Sequence, residues 1–548
     1  MKKLLSLLTL SLLLGVFALN AQNPRIVVLE CFTSATCGPC AQYNPALDNL
    51  VNNNADKLIA IKYHVNWPVA GGDPMNLHNP SEVSSRVSYY GVNSVPHSVA
   101  DGNVWSGNSS NVSQSLVNQW AAVESPLEMR MTHYLNNTQD TITVIVMGRA
   151  TNAVASNNMK LRIAVLEETM EYASAPGTNE ERIFHNVMKK MLPNATGSSV
   201  PSMQAGEYFA FKYSWALANV MNINELTAVA WLQDQDSKAI FQGCKSSEDF
   251  QPFYEKQAKI NAFDHTKRHI CSGNVNPDIL ITNYGSEAIN SLTINVKVDG
   301  NDYSQINWEG NIPTFGEVRV NLGDLDVDIS ENNEILAEIV AINGAPDDYA
   351  PSELSFAYNE ATIVTNTSFK LQLRTDDDPQ SITWDVVNTT TGEVVISGGP
   401  YEEANKLYTT NFTIETGGCY LLTVYDAGGN GLGNGNGAYA LKAGSSTIIS
   451  GKDFYDKDMD EFSLAIEDVE ENMIKTTNIY PNPTNGILTI DTEKQGYVDI
   501  YNLAGQMVLT QKIEGTTVLN IAGYEKGSYL LVVKDNEGNE SRQIIVLQ

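Results

Sequence analysis

Two cysteines separated by two residues, Cys37 and Cys40, form the part of the sequence best suited to chemistry. They enclose Gly-Pro, follow the apolar run Arg25–Glu30 and precede the amphipathic run Ala41–Asn52. These patterns predict a strand before the pair and a helix after it. Amides and the dipole at a helix N-terminus favour an anion, so a thiol pKa of about 8.5 can fall there to about 7. Cys37 would attack a disulfide and Cys40 would resolve the mixed disulfide, which predicts thiol–disulfide exchange.

A metal site and a structural disulfide are the alternatives for the same pair. A zinc site needs four ligands, the sequence holds no second CxxC pair, and the spacing of His64, His78 and His97 matches no metal motif. A structural disulfide is common in exported proteins and stays open. Placement at a helix start, with Gly-Pro inside the pair, favours redox activity over a structural role.

Alternating strand and helix patterns surround the cysteine pair. Leu58–Val65 indicates a second buried strand, a polar stretch containing Gly71–Pro74 follows it, and a further strand is indicated within Val95–Ala100. A helix beginning near Ser110 closes the pattern. Such alternation predicts an α/β unit of about 100 residues.

Four of these features together resemble the thioredoxin superfamily. They are the strand–CGPC–helix order, Pro45 five residues after the second cysteine, the Val95-Pro96 pair, and the ending of strand then helix. The resemblance implies that Pro96 is a cis-proline facing the disulfide and that Val95 offers its backbone to a bound substrate strand. Cis X-Pro bonds occur at only about 5–6% of such sites, so the expectation can be checked.

The same resemblance implies roles for three residues near the pair. Thr36 stands directly before Cys37, where thioredoxins usually carry Trp, and is expected to contact substrate. A buried acid that assists Cys40 would fall at Glu30 or, with a one-residue shift, at Cys31. We expect Glu30 to be the proton relay, which leaves Cys31 as a third thiol.

A narrower resemblance extends beyond the first unit. The run Ser88–Gly102, together with Asp73–Met75, is similar to thioredoxin-fold relatives of a twenty-eight-kilodalton outer-membrane protein. This similarity is expected to cover residues 24–250.

Beyond Pro126 the apolar pattern changes to period two, which predicts strands. The one helix expected there covers Glu180–Met191, and the acidic stretch Glu467–Asn472 is expected to be a linker. The predicted fold is multidomain, with an α/β thioredoxin-like domain followed by several all-β sandwich-like modules. The expected domains are a signal peptide at 1–21, the thioredoxin-like domain at 24–124, β-sandwich-like modules at 125–250 and 265–356, a β-sandwich or jelly-roll-like module at 362–466, and a C-terminal domain at 473–548.

A Gly/Asn-rich segment is the candidate metal site. Asp426, Asn430 and Asn434 are spaced along glycines and could ligate a structural calcium, with a contribution from Asp376–Asp378. The segment lacks the Lys-Ser/Thr of a phosphate-binding loop and the final Glu of an EF-hand loop. A plain set of glycine-rich turns is the alternative. No other cofactor is expected.

The remaining cysteines allow different arrangements. Cys244 and Cys271 flank a predicted module boundary and would form a clamping disulfide or remain two free thiols. Cys419 has no evident partner in the sequence. His265, His269 and Cys271 have a metal-like spacing, but a surface turn is the favoured interpretation because a fourth ligand is missing.

The C-terminal segment begins with Tyr480–Gly486 (YPNPTNG) and continues through Val498–Asn502, Gly527–Tyr529 and Ile544–Leu547. Over about 70 residues it resembles the C-terminal sorting domain of type IX secretion. The resemblance implies recognition by an outer-membrane translocon, then release or attachment at the cell surface. An ordinary β domain is the alternative.

Composition and the N-terminus define the expected compartment. Lys2 and Lys3 precede an apolar run that ends near Ala21, which predicts a secretory signal. With 34 Lys+Arg against 64 Asp+Glu the formal net charge is −30, which argues against a nucleic-acid partner. No later stretch is apolar enough to predict a transmembrane segment.

We therefore expect a secreted or cell-surface thiol–disulfide oxidoreductase acting on protein thiols and disulfides. Its other expected partner is the type IX secretion machinery. The competing hypothesis is a surface binding or adhesion protein that uses the thioredoxin-like domain as a scaffold.

Overall fold

A computed structural model describes residues 23–329, 333–433, 436–466, 477–492, 495–536 and 540–548. The expected signal peptide, the linker Glu467–Asn472 and Asn434 lie outside the described residues. The chain is mostly β and forms two compact units. The first extends to Glu360 and adds Tyr425–Gly437 and Asp453–Met459, and the second comprises Ala361–Val424, Ala438–Lys452 and Asp460–Gln548. None of the described helices is long and apolar enough to cross a membrane.

A mixed nine-stranded sheet organises the N-terminal region. Its order is β12-β11-β7-β8-β2-β1-β3-β4, with β9 paired to β7, and β10-β6-β5 form a second sheet. The strands are β1 (Val27–Thr33), β2 (Leu58–His64), β3 (His97–Ala100), β4 (Trp105–Asn108), β5 (Leu127–Leu135), β6 (Thr141–Ala150), β7 (Met159–Glu171), β8 (Ile183–Leu192), β9 (Ser198–Val200), β10 (Tyr208–Ala216), β11 (Leu226–Asp234) and β12 (Ile240–Lys245). The large sheet therefore crosses residue 124, where the sequence indicated a domain boundary.

Four helices accompany this sheet among the described residues. They are α1 (Gly38–Asn52), α2 (Pro74–His78), α3 (Pro80–Tyr90) and α4 (Gln114–Ala121). Strands β1 and β2 are parallel and buried along their whole length, because helices cover both of their faces. Leu47 and Val51 of α1 pack on one face, and Val83 of α3 packs on the other. The carboxyl end of β1 leads directly into the turn that carries Cys37.

The helix expected over Glu180–Met191 is wrong, because Ile183–Leu192 forms strand β8. Phe184, Val187, Met188 and Met191 have helical spacing and are all buried. β8 lies between β7 and β2, so apolar residues are needed on both of its faces. A register shift against β7 adds an extra residue, which breaks the strict alternation typical of strands.

The rest of the first unit is a β module with its own core. Its principal sheets are β13-β16-β19 and β18-β17-β21-β22. The strands are β13 (Ala258–Asp264), β14 (His269–Ile270), β15 (Asn274–Val275), β16 (Asp278–Asn283), β17 (Ile289–Val298), β18 (Asn301–Ile312), β19 (Glu317–Asn321), β20 (Leu325–Asp326), β21 (Glu334–Ile342), β22 (Glu353–Ala357) and β23 (Asn359–Glu360).

The second unit contains four further sheets. Its first part is built from β24-β32-β29-β26-β27 and β28-β25-β30-β31, and the C-terminal part from β33-β34-β37 and β36-β35-β38-β39. The strands are β24 (Thr362–Val364), β25 (Ser368–Arg374), β26 (Ile382–Asn388), β27 (Val394–Gly398), β28 (Leu407–Thr413), β29 (Gly418–Asp426), β30 (Ala438–Ala443), β31 (Ser446–Gly451), β32 (Lys457–Leu464), β33 (Asn478–Tyr480), β34 (Ile487–Asp491), β35 (Gln495–Tyr501), β36 (Met507–Glu514), β37 (Thr517–Asn520), β38 (Gly527–Asp535) and β39 (Glu540–Leu547).

Candidate active site

Cys37 and Cys40 form a disulfide at the start of α1, with their Cα atoms 5.2 Å apart. Cys37 is the N-cap residue of the helix, and the backbone N–H of Cys40 donates to Cys37 Sγ at 3.1 Å. The same N–H also donates to the Cys37 carbonyl oxygen at 3.1 Å, so it is shared between two acceptors in the first helical turn. When the disulfide is reduced, the same donor and the helix dipole can stabilise a thiolate on Cys37.

Both sulfur-bearing residues are almost closed to solvent. Cys37 is 2% exposed and Cys40 is 0% exposed, whereas Gly38 and Pro39 between them are exposed. Little of the surface of Cys37 is therefore open to an incoming thiolate.

The residues expected to bind substrate lie beside this disulfide. The carbonyl oxygen of Val95 is 3.6 Å from Cys37 Sγ, and the Val95–Pro96 peptide bond is cis. Thr36 is buried, and its Oγ1 accepts the backbone N–H of Val69 at 3.3 Å. The side chain of Thr36 thus ties two loops together instead of projecting into solvent.

Glu30 is held in a fully buried polar network on the α3 side of the sheet. Its carboxylate accepts two hydrogen bonds from Arg86, at 2.7 and 2.9 Å, and one each from Tyr63 and Tyr90, at 2.9 and 2.6 Å. Burial raises the pKa of Glu30, but the Arg86 charge and these hydrogen bonds outweigh it, so the pKa lies below its ordinary value.

This placement does not support the expected relay from Glu30 to Cys40. Val28 and Phe32, two residues before and after Glu30 on β1 and therefore on the same face, belong to the core on the α3 side. Cys31 instead shares a core with Leu47 of α1. The role of Glu30 as a relay stays a prediction.

The α1 side carries a polar pair that the sequence analysis missed. Lys62 of β2 and Asp48 of α1 form a buried ion pair, with Nζ and Oδ1 2.6 Å apart. Cys31 lies opposite Lys62 in the β1–β2 register, and burial raises its thiol pKa to about 11. The sequence did contain one signal for this pair. Asp48 follows Cys40 by eight residues, close to two helical turns, which places both residues on the same side of α1.

The three histidines of this region have different hydrogen-bond partners. His64 is hydrogen-bonded to Asp73 at 2.8 Å and His78 to Lys189 at 3.4 Å. His97 is hydrogen-bonded to Ser106 at 2.8 Å. Asp73 also accepts the backbone N–H of Ala35 at 2.7 Å, so it braces the turn before Cys37. Burial opposes ionisation of Asp73, yet His64 and these hydrogen bonds keep its pKa below the ordinary value.

Neither arrangement considered for Cys244 and Cys271, a clamping disulfide or two free thiols, is present. Cys244 is a free, buried thiol in the core between the two N-terminal sheets, and burial raises its pKa. Cys271 and Cys419 are both disulfide-bonded. Sequence spacing could not distinguish these arrangements, because distant strands bring cysteines together.

His265 belongs to an ion-pair network. Its Nδ1 bonds to Asp278 at 2.8 Å and its Nε2 to Asp456 at 2.8 Å. Arg319 bonds to Asp456 as well as to Asp264, so its charge compensates this acidic cluster. His269 lies in the two-residue strand β14.

Some polar groups of the candidate calcium loop are hydrogen-bonded to each other. The Asp426 carboxylate accepts backbone N–H groups of Gly428 and Asn430, at 3.0 and 2.8 Å. Such bonds are typical of an Asx-type turn and are compatible with either interpretation. A structural calcium at Asp426, Asn430 and Asn434 stays a prediction.

Two known families match parts of the chain. Residues 84–247 match the family described as outer membrane protein Omp28, and residues 478–547 match the secretion system C-terminal sorting domain. The expected resemblances to the outer-membrane-protein family and to the sorting domain are confirmed, and the first match covers residues 84–247 of the expected 24–250. The sorting tail implies handling by the type IX secretion machinery, and the chain is a secreted or cell-surface protein. No curated protein matches the sequence significantly.

Solved structures give weaker similarities. HBP35 of Porphyromonas gingivalis is 14% identical, with a TM-score of 0.35, over 61% of this chain and 98% of that one. The Bacteroides ovatus protein SGBP-B, from a mixed-linkage glucan utilization locus and solved with a heptasaccharide, is 14% identical, with a TM-score of 0.12, over 53% of this chain and 70% of that one. Scores this low carry no argument about fold or activity.

Proposed function

We propose that the chain is a secreted or cell-surface thiol–disulfide oxidoreductase whose N-terminal region is thioredoxin-like. The observation that carries the proposal is the Cys37–Cys40 disulfide at the N-terminus of α1. Parallel β1 and β2, antiparallel β3 and the Val95 carbonyl beside Cys37 Sγ support it.

The exchange needs only the two sulfurs of the site and an external thiol couple. In the reducing direction, the Cys37 thiolate attacks one sulfur of a protein disulfide and releases the other sulfur as a thiolate. The Cys40 thiolate then attacks the Cys37 sulfur, which re-forms the internal disulfide and releases the second substrate thiol. A dithiol reductant returns the enzyme to its reduced form and is itself oxidised to a disulfide. The oxidising direction is the reverse.

Local donors determine which cysteine attacks first. Cys37 is the N-cap residue and receives the Cys40 N–H, whereas Cys40 lies inside the first helical turn. A negative charge is therefore favoured at Cys37, and Cys40 is the resolving thiol.

Insulin-disulfide reduction in the presence of dithiothreitol tests this proposal. Wild type should accelerate the reaction at least about tenfold over the Cys37→Ser variant, since only a thiolate is an effective nucleophile. Cys40→Ser should accumulate a mixed disulfide at Cys37, and Cys244→Ser is the matched control with unchanged rate. A wild-type rate equal to that of Cys37→Ser would contradict the proposal.

The 2% exposure of Cys37 favours a second candidate, a surface binding protein in which this disulfide is structural. Most of the described chain consists of β modules, which is also typical of binding proteins. Under this alternative the disulfide resists dithiothreitol in the folded protein. The same assay therefore separates the two candidates.

A further inference from the structure

The connection between β7 and β8, residues 172–182, lies against the turn that carries Cys37. We call this connection the strap. Its two ends are closed by hydrogen bonds from the Tyr172 N–H to the Arg182 carbonyl at 2.9 Å and from Arg182 Nε to the Tyr172 carbonyl at 3.1 Å. The strap is thus a closed loop brought to the turn from a distant part of the chain.

Asn179 makes most of the bonds between the strap and the turn. Its side-chain amide donates to the carbonyl oxygens of Ser34 and Cys37, each at 3.1 Å. Its backbone N–H donates to the Ala35 carbonyl at 3.1 Å. One strap residue therefore bonds three of the four carbonyl groups of residues 34–37.

Two more contacts lock the strap in place. Gly177 packs on Ala35 so closely that an added Cβ would lie 2.1 Å from the Ala35 carbonyl oxygen. Glu181 accepts a hydrogen bond from Asn44 of α1 at 2.9 Å. The strap thus contacts both the turn and the helix that carry the two cysteines.

We propose that the strap sets the stability of the Cys37–Cys40 disulfide and that Asn179 is its positioning residue. This inference rests on the proposed function, because it assumes that the disulfide exchanges with external thiols.

The physical reason is the effective concentration of the two thiols. A disulfide forms more favourably when its sulfurs are held close together in a fixed geometry. The Cys37 carbonyl accepts the N–H groups of Cys40 and Ala41 as well as the Asn179 amide, so Asn179 steadies the first helical turn from outside. Removing this donor lets the turn sample more conformations, which favours the dithiol and exposes Cys37.

The experiment measures the exchange equilibrium of the full-length protein with reduced and oxidised dithiothreitol, followed by acid quench, alkylation and mass spectrometry. Asn179→Ala removes the donor, and Asn179→Asp keeps the size but replaces the amide with a carboxylate. Ser174→Ala, at an exposed strap position, is the matched control. Gly177→Ala tests the close contact without touching Asn179.

We expect Asn179→Ala and Gly177→Ala to lower the equilibrium constant for disulfide formation about three- to tenfold, where tenfold equals about 30 mV for this two-electron couple. Asn179→Asp also loses the donor, but its negative charge beside Cys37 disfavours the thiolate, so it should lower the constant less than Asn179→Ala does. The rate of disulfide reduction should rise in Asn179→Ala and Gly177→Ala. Ser174→Ala should match wild type. Thermal unfolding of the reduced forms identifies any variant that has lost its fold. The variants that remain folded then test whether the strap sets the stability of the disulfide.

The outcomes separate the two claims. If wild type exchanges reversibly and the folded Asn179 and Gly177 variants have its equilibrium constant, the strap proposal is overturned and the proposed function stands. If the wild-type disulfide does not exchange at all, the proposed function fails first. Equal shifts in Ser174→Ala would also overturn a specific role for Asn179.

Discussion

The two faces of the β1–β2 sheet hold buried charges in different ways. On the α3 face, Glu30 receives four hydrogen bonds from Arg86 and two tyrosines, and its carboxylate is fully enclosed. On the α1 face, a single Lys62–Asp48 pair lies under the helix that carries the cysteines. The first network continues from Arg86 through Gln233 to Arg162 of β7, whereas the second lies beneath the helix that begins at the cysteines.

This difference shows how a buried acid near a CxxC pair should be interpreted. Glu30 is close to Cys37 in sequence, but strand alternation turns it away from α1. Asp48 is farther away in sequence and yet shares a helix with Cys40. We infer that the α3 network stabilises the fold, while the α1 pair can also influence the sulfur chemistry.

The largest expected effect comes from Arg86→Leu. It leaves the Glu30 carboxylate buried without its counter-charge, so the free energy of unfolding should fall by ~3–5 kcal/mol. Urea denaturation measures this loss. In the folded fraction, the equilibrium constant for exchange of the Cys37–Cys40 disulfide with dithiothreitol should stay within twofold of the wild-type value.

Arg149→Leu is the control for this substitution, because the Arg149–Glu128 pair is partly exposed and should be worth only ~0–1 kcal/mol. If Arg86→Leu lowers the free energy of unfolding by less than ~1 kcal/mol, or changes the exchange equilibrium strongly, the two faces do not differ in the way described.

A smaller loss of stability is expected for Lys62→Met. The unpaired Asp48 carboxylate lies nearer to solvent than Glu30, so the loss should be ~2–3 kcal/mol, and adding Asp48→Asn should recover part of it. The negative charge left on Asp48 disfavours a thiolate at the start of α1. The equilibrium constant for disulfide formation should therefore rise roughly two- to tenfold. Dithiothreitol titration of single and double variants measures this. An unchanged equilibrium would mean that the α1 pair is purely structural.

The smallest expected effect concerns Cys31, on the α1 face. Burial raises its pKa to about 11, so it should stay a protonated thiol at pH 8. After mild reduction, iodoacetamide should label Cys37 at least ~100-fold faster than Cys31 in the folded protein. Mass spectrometry of peptide fragments reports both rates, and denatured protein provides the control. Rapid labelling of Cys31 would mean that the α1 face opens easily.

Local sequence patterns predicted the central part of the candidate site. The run before Cys37 forms a strand and the run after Cys40 forms a helix, because burial and capping act over a few neighbouring residues. The Val95 carbonyl also lies beside the disulfide, and its role in binding a substrate strand stays a prediction.

Long-range contacts explain what the sequence could not predict. The Asn179 bonds to Ser34 and Cys37 join residues more than 140 positions apart, and no local pattern encodes them. The apolar spacing of Phe184 and its neighbours favours a helix in isolation, but their position between two strands of a covered sheet makes them β8. Tertiary packing decided both cases.

The reduction potential of the Cys37–Cys40 couple in the full-length wild type tests the central claim most directly. The proposed function predicts reversible titration of one two-electron couple, at about −180 to −270 mV, in the range of known exchange enzymes. A disulfide that stays oxidised in the folded protein below about −300 mV would contradict the account and assign the bond a structural role.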